Sequence, residues 1–307
     1  MKTTKQPKME PSFSEDRILD GAVGSIESPD YSGVFYQHTV LCQTNLPYRD
    51  PGDVEVWKRK NGRVNMLLKA GYAWHPNRKD FMPYGLPFGP KARLNLMHLN
   101  QRAIQTGSRI IETEGSLYQF TTHVLKMDGC GRNMAAIQEQ LIRLSTTFVL
   151  LGVTDGGSGV TLNSPVVDSF RTLPFQKKDS SIMWPTSVRL SEDYYSSVVH
   201  HAVPIDEAHM RALSHTALGL DVYTWLAQRL CRIKVGQPVH VPWTALHEQF
   251  GQGYEGRLRK FREVFRGVVK NVLAIYKEAR VEESSNGLIL RDSPPPVAKN
   301  RLFIVAG

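Results

Sequence analysis

A helix–strand–helix–turn–helix order that ends in strand-like runs with glycine turns occurs twice along 307 residues. That repetition, together with an Asn61-Gly62 turn between two strand-like runs ahead of it, predicts an α+β fold: two tandem winged-helix domains with an N-terminal β-hairpin extension. Four segments are expected: a mobile tail over 1–30, an N-terminal winged-helix domain with the hairpin over 31–197, a C-terminal winged-helix domain over 198–297, and a tail over 298–307. A hydrophobic content of 41% is enough for a core in each domain.

Residues 1–30 are polar and aperiodic, which is why they are assigned to a tail. VFYQHTVLCQTNLP suggests a first strand, and VEVWKRKNGRVNMLLKAGY holds two strands joined at Asn61-Gly62, a dipeptide suited to the positive φ of a two-residue hairpin. After Pro/Gly punctuation, Leu94, Met97, Leu99, Ala103 and Ile104 keep helical spacing up to Gly107. SRIIET is a short strand, and Ser116 is placed to cap a second helix over SLYQFTTHVLKM. Gly129 and Gly131 break the chain before a third helix whose buried stripe is Ile137, Leu141, Leu144 and Phe148. GVTDGGSGVTLNSPVVDSFRTL and SIMWPTSVRLSEDYYSSV then supply the strands of a wing.

In the second half, EAHMRALSHTALGLDVYTWLAQRL is expected as one long helix, QPVHVPW as a brief strand with Pro242 near the next helix start, and TALHEQF as a short helix. GQGYEG is a turn, RLRKFREVFRGVVKNVLAIYK a long helix, and ARVEESSNGLILRD a hairpin turning near Asn286-Gly287. The two halves share no sequence identity, so the repeat is one of element order. Three consecutive prolines in SPPPV exclude helix near the end.

Gly251, Gly253 and Gly256 match the G-x-G-x-x-G spacing that cradles a dinucleotide pyrophosphate when it follows a strand. Here TALHEQF precedes it, composed of good helix formers, so the glycines are read as the turn of a helix-turn-helix, with no cofactor. In the helix that follows, Leu258, Phe261, Phe265, Val268, Val269, Val272, Leu273 and Tyr276 share a face, flanked by Arg259, Arg262, Arg266 and Lys270. Residues 257–270 hold six basic side chains, counting Arg257 and Lys260, against the single acid Glu263. An ordinary solvated face mixes both signs, so this pattern points to a duplex-reading helix. A second, weaker group is Arg132, Asn133, Gln138 and Arg143 in the third helix, with Lys177 and Lys178 as phosphate contacts in a wing or linker.

Lys+Arg number 38 against 29 Asp+Glu, a net charge of +9 that favours a polyanionic partner. Cys42, Cys130 and Cys231 are odd in number and widely spaced, neither a disulfide framework nor a metal knuckle. No G-x-x-x-x-G-K-[ST], H-E-x-x-H or G-x-S-x-G occurs, and no histidine pair with a tyrosine suits a strand-nicking enzyme. His200, His201, His209 and His215 lack a nearby cysteine, and Asp206 and Glu207 stand where a helix start favours acids, so no metal site is expected. No window is long and apolar enough to span a membrane, and the expected setting is cytoplasmic.

Several blocks between about residue 35 and residue 297 resemble the plasmid-encoded RepA replication initiators: NGRVNMLLKAGY, YGLPFGPKARLNLMHLNQRAIQTGSRIIETEGSLYQF, MAAIQEQLIRLSTTF, ALGLDVYTWLAQRL, VPWTALHEQFG, RLRKFREVF and SPPPV. The resemblance implies tandem winged-helix domains, sequence-specific binding to double-stranded DNA at plasmid origin repeats, origin opening, and recruitment of host replication proteins such as a helicase or initiator. A homodimer and repression of the chain's own promoter are also among the family's properties. It places C-terminal recognition on the helix from Arg257, implies a bacterial cytoplasmic protein without enzymatic activity, and leaves a winged-helix transcriptional regulator or autorepressor as the alternative. The chain departs from the family at Met127 to Gly131, where a more basic glycine-rich turn is usual, and at NLMHLNQ, where leucines are usual.

Overall fold

Two long helices of opposite character organise the chain, one enclosed by the rest and one lying against it. The computed structural model describes residues 33–298 and 301, apart from 63, 76, 128, 130, 156–157 and 175–182. The two tails and the Lys177-Lys178 pair therefore lie almost wholly outside the described residues.

Strand β1 (Val34–His38) is followed by β2 (Val56–Asn61) and β3 (Val64–Lys69), a hairpin in which Asn61 pairs with Val64, so the reversal includes Gly62 at φ +56°. A second hairpin, β4 (Tyr72–His75) with β5 (Asp80–Pro83), went unforeseen. Helix α1 (Gly89–Thr106) has Pro90 in its first turn and ends at Gly107, φ +60°, as its spacing predicted. β6 (Ile110–Glu112) leads to α2 (Glu114–Gln119), which widens into a π-helical turn over Phe120–Val124. This helix starts before Ser116, so Ser116 is inside it and is not its cap. α3 (Arg132–Thr146) buries Ile137, Leu141 and Leu144. Phe148, expected in the same stripe, belongs instead to strand β7 (Phe148–Asp155) and is exposed, because the helix stops at Thr146.

β7 is followed by β8 (Ser158–Pro165), β9 (Val167–Pro174) and β10 (Met183–Leu190), and α4 (Glu192–His201) takes up residues expected as strand. Ser191 caps α4 by accepting from the Tyr194 amide, with Glu192 and Asp193 in the first turn, a start signal that outweighs the Tyr-Tyr β preference. β7 and β8 join the β2–β3 hairpin in one four-stranded sheet, order β2-β3-β7-β8, so the expected extension and part of the expected wing are one structure. β6, β10 and β9 form a separate sheet.

β11 (Ala202–Asp206) returns to pair with β1, so the first and second halves share a sheet, and the expected boundary after residue 197 falls within α4. The single long helix expected next is two: α5 (Glu207–Ala212), capped by Asp206, and α6 (Ala217–Leu230), capped by Thr216. Both caps are local side-chain bonds to backbone N–H groups that hydrophobic spacing does not register. β12 (Val239–Pro242), α7 (Trp243–Phe250), α8 (Leu258–Ile275), β13 (Val281–Ser284) and β14 (Gly287–Leu290) follow as the sequence predicts, with a sheet order β12-β14-β13. The class is α+β, and one continuous apolar cluster runs from Phe35 through Leu96 and Leu141 to Trp225, Phe265 and Leu290.

Candidate nucleic-acid interface

Packing of α7 against α8 determines what the glycine turn does. Trp243, Leu246 and Phe250 of α7 are buried against Phe261 and Phe265 of α8, with Trp243 and Phe265 meeting edge to face at 6.4 Å. Gly251 has φ −82°, and its need for glycine is steric: a Cβ there would lie 2.4 Å from the His247 carbonyl oxygen. Gly253 and Gly256, at φ +77° and +69°, occupy the left-handed region. His247 Nε2 lies 2.8 Å from the Tyr254 carbonyl, Arg257 donates to the Gly253 carbonyl, and the Glu255 carboxylate accepts from the Gly253 amide at 2.9 Å. The backbone N–H groups of Glu255 itself and of Gly253 hold the Glu255 carboxyl below the usual carboxylate range. The element before the turn is helical, so the glycines reverse the chain between two helices.

On α8, Phe261, Phe265, Val268, Val269, Val272 and Ile275 are buried, while Arg259, Lys260, Arg266 and Lys270 are exposed. Arg262 is half-buried. Its guanidinium lies over the Trp243 ring at 5.7 Å, beside that of Arg266 at 5.3 Å. Arg266 also pairs with Glu283 of β13 at 2.6 Å, and Lys260 with Glu263 at 3.0 Å. Arg257 lies in the turn, over the Tyr254 ring at 5.7 Å. The cations thus divide: Arg257, Arg262 and Arg266 are steered by local partners, whereas Arg259 and Lys270, near the two ends of the row, are exposed.

The N-terminal candidates are less coherent. Arg132 is exposed and Asn133 partly so in the first turn of α3, and Arg143 lies in the last, about 16 Å away by helical rise. Arg143 is occupied internally: it bonds Glu139 at 2.8 Å and the Leu86 carbonyl at 3.2 Å, and stacks over Phe88 at 5.0 Å. Gln138 is buried. The histidines are dispersed, His200 and His201 ending α4 while His209 contacts the Tyr223 hydroxyl at 3.1 Å. Among the described residues no three or more His, Cys, Asp or Glu form a metal-binding group, and no helix is long and apolar enough to cross a membrane.

Sequence reasoning missed how the turn is anchored. Arg59 of β2 donates to the Glu248 and Gln249 carbonyls at the end of α7, at 3.3 and 2.9 Å, where a cation complements the helix dipole. Gln252 accepts from the Tyr48 amide and donates to the Leu46 carbonyl, and Gln249 donates to the Gln43 carbonyl. The loop over 43–48 therefore grips the turn between α7 and α8. No local pattern announces contacts spanning some 200 residues.

The family model described as "Plasmid encoded RepA protein" matches residues 86–243. Two solved structures of domains 2 and 3 of RctB share the fold at 9% identity. One, a selenomethionine derivative, has a TM-score of 0.52 and covers 84% of this chain and 99% of its own. The other has a TM-score of 0.50 with coverages of 82% and 94%. No curated protein matches.

Proposed function

Because the chain belongs to the plasmid-encoded RepA family, we propose that it is a replication initiator without chemistry of its own, binding repeats in a plasmid origin in the bacterial cytoplasm. The observation that carries the DNA-binding part is α8: a fully packed face, an outward row of cations, and a helix–strand–helix–helix–hairpin order around it. In this reading α6 to β14 is the C-terminal winged helix, and β13–β14 is its wing. Arg259 and Lys260, in the first turn of α8, read base edges in the major groove. Lys270, farther along, neutralises a phosphate. Arg262 is held over Trp243, which presents its charge at low conformational cost, while Arg266 beside it is paired with Glu283. Arg132 and Asn133 are offered by a second such unit in the N-terminal half, and opening of the origin with recruitment of a host helicase or initiator completes the proposal.

The test measures affinity for the cognate origin repeats and for a shuffled duplex at 150 mM salt. The expected ratio is at least about 10³, and equal affinity overturns the reading. A plasmid that lacks any other origin and carries this coding region with its flanking DNA should replicate. A protein confined to repression would bind its promoter and leave that plasmid unreplicated.

A further inference from the structure

The outward face of the β2-β3-β7 sheet and the β4–β5 hairpin continuing from it carry aromatic rings and cations that α8 leaves unused. Across the sheet, Val56, Lys69 and Phe148 form one rung, Lys58, Leu67 and Leu150 the next, and Lys60, Asn65 and Gly152 a third. Met66 and Leu68, at alternate positions of β3, are buried, so these rungs face away from the core. The absence of a side chain at Gly152 helps leave a hollow of about 390 Å³ bordered by Lys58, Lys60, Asn65, Leu67 and Leu150.

Only Ala70 and Gly71 separate β3 from β4. Gly71 passes so close to α3 that a Cβ would lie 2.1 Å from the Thr146 carbonyl oxygen and 3.6 Å from the Phe148 ring, which brings the hairpin alongside Phe148. In β4, Ala73 and His75 are buried, whereas Tyr72 and Trp74 are 62% and 50% exposed. Phe81 lies opposite Trp74, 61% exposed, with the rings edge to face at 5.3 Å. Three aromatic side chains on one side of a two-stranded ribbon, with Phe148 at its base, form an exposed patch that water alone does not favour.

We propose that this face binds single-stranded DNA, the bases stacking on Tyr72, Trp74 and Phe81 while the sheet lysines follow the phosphates. Lys58, Lys60 and Lys69 on these rungs, with the exposed Arg78 and Lys79 between β4 and β5, outnumber the neighbouring acids Glu55 and Asp80, so the surroundings of the rings suit a polyanion. Tyr72 and Trp74, two residues apart on a strand, stand about 7 Å apart and serve as separate platforms for successive bases. A duplex encloses its base faces and offers such rings nothing to stack on. A second copy of a chain carrying +9 would bring like charges together here. The source of the strand, a melted origin, rests on the initiator reading; the binding itself does not.

The test uses the full chain and fluorescence anisotropy with a labelled twenty-nucleotide oligo(dT). Trp74→Ala and Phe81→Ala are each expected to weaken binding about tenfold and Trp74→Phe much less, with affinity for origin duplex unchanged. Lys58→Gln with Lys60→Gln should reduce the salt slope by about 1.4 without touching the rings, which keeps the test decisive if an aromatic variant folds poorly. The proposal is overturned if the wild type binds oligo(dT) no better than a site-free duplex, or if the folded variants bind it equally well. It also falls if sedimentation shows a dimer that the Trp74 variant dissociates without altering oligo(dT) binding. Ring-dependent oligo(dT) binding with no preference for origin repeats would sink the initiator reading and leave this surface standing; the reverse result sinks the surface alone.

Discussion

Helices α1 and α8 are each eighteen residues long and each carries arginine, yet one is enclosed and the other is one-sided. On α1, Leu94, Leu96, Met97 and Leu99 are buried, and so are Arg93, Asn95, His98, Asn100 and Gln101. Arg93 uses all five of its N–H donors: two to the Asp221 carboxylate at 2.6 and 2.7 Å, the others to the carbonyls of Leu46, Pro47 and Gly89. On α8, by contrast, Arg259 is exposed and meets no carboxylate among the described residues. The residue type does not decide the job. Where carboxylate and carbonyls converge, arginine becomes a cross-link between halves of the chain, and where they do not, its charge stays available to a polyanion.

The largest effect is expected from breaking the cross-link. Asp221→Ala leaves the Arg93 charge buried without its counter-ion and removes the acceptor of Asn45, which bonds the same carboxylate at 2.7 Å. The expected loss is about 3–5 kcal/mol, seen in urea unfolding. The double replacement Arg93→Met with Asp221→Leu should regain most of it, because no charge is then left unpaired. A single variant within about 1 kcal/mol of wild type would show that the pair is not a structural cross-link.

Arg259→Ala is the counterpart on the one-sided helix. Stability should change by less than about 0.5 kcal/mol, while discrimination between the origin repeat and a single-base mismatch at its contact falls by about 1–3 kcal/mol. If both repeat and mismatch weaken equally, Arg259 is a phosphate contact and the base-reading role passes to Lys260.

Burial of α1 also sets a pH dependence that α8, with no histidine, cannot contribute. His98 stacks on Phe120 at 4.7 Å, and burial, helped by the nearby Arg102 charge, lowers its pKa to about 3. The folded state keeps the neutral ring while the unfolded chain takes up a proton near 6.5. Stability is therefore full above pH 6.5 and is lost as pH falls from there toward 3. Between pH 7.5 and 5.5 the loss from this one ring is about 1.4 kcal/mol. His38, lowered to about 4 chiefly by burial, acts in the same direction. His98→Leu should remove one ring's share of that slope in urea titrations at the two pH values, and an unchanged slope would mean that His98 takes up its proton in the folded chain.

The same two helices show what was legible in the sequence. The sequence pattern of α8 shows its one-sided burial plainly, because a surface helix obeys a simple rule of one apolar face and one polar face. Its neighbours α7, β12 and the β13–β14 hairpin follow from Pro242 and Asn286-Gly287 for similarly local reasons. α1 was legible as a helix but not as an enclosed one. Asn100, which donates to the Tyr36 carbonyl and accepts from the Tyr194 hydroxyl, looks from sequence like a solvent-facing residue. Its partners lie 64 and 94 residues away, and hydrophobic spacing carries no information about them. The split between α5 and α6 and the exposure of Phe148 were missed because helix ends are set by single side-chain caps and by strand pairing, which a periodic stripe runs across. The exposure of the α8 cations was legible in composition, whereas Arg59, holding the end of α7, was hidden in a strand.

The smallest expected effect tests whether the cations of α8 divide their labour along its length. Lys270 is eleven residues beyond Arg259, about 16 Å by helical rise, and the major groove is about 12 Å wide. With the first turn of α8 at the base edges, Lys270 lies beyond the groove, at the level of the phosphates. Lys270→Ala should therefore weaken every duplex to the same degree and reduce the slope of log K against log salt by about 0.9. Between 50 and 200 mM salt, the variant should lose roughly threefold less affinity than wild type. Arg266 is exposed and closer to the first turn, but Glu283 at 2.6 Å already neutralises it, so Arg266→Ala should alter the slope less than Lys270→Ala does. Equal slopes for the two variants would mean that the Arg266–Glu283 pair opens on binding. A loss of base preference in Lys270→Ala would mean that α8 lies along the groove and does not enter it by its first turn.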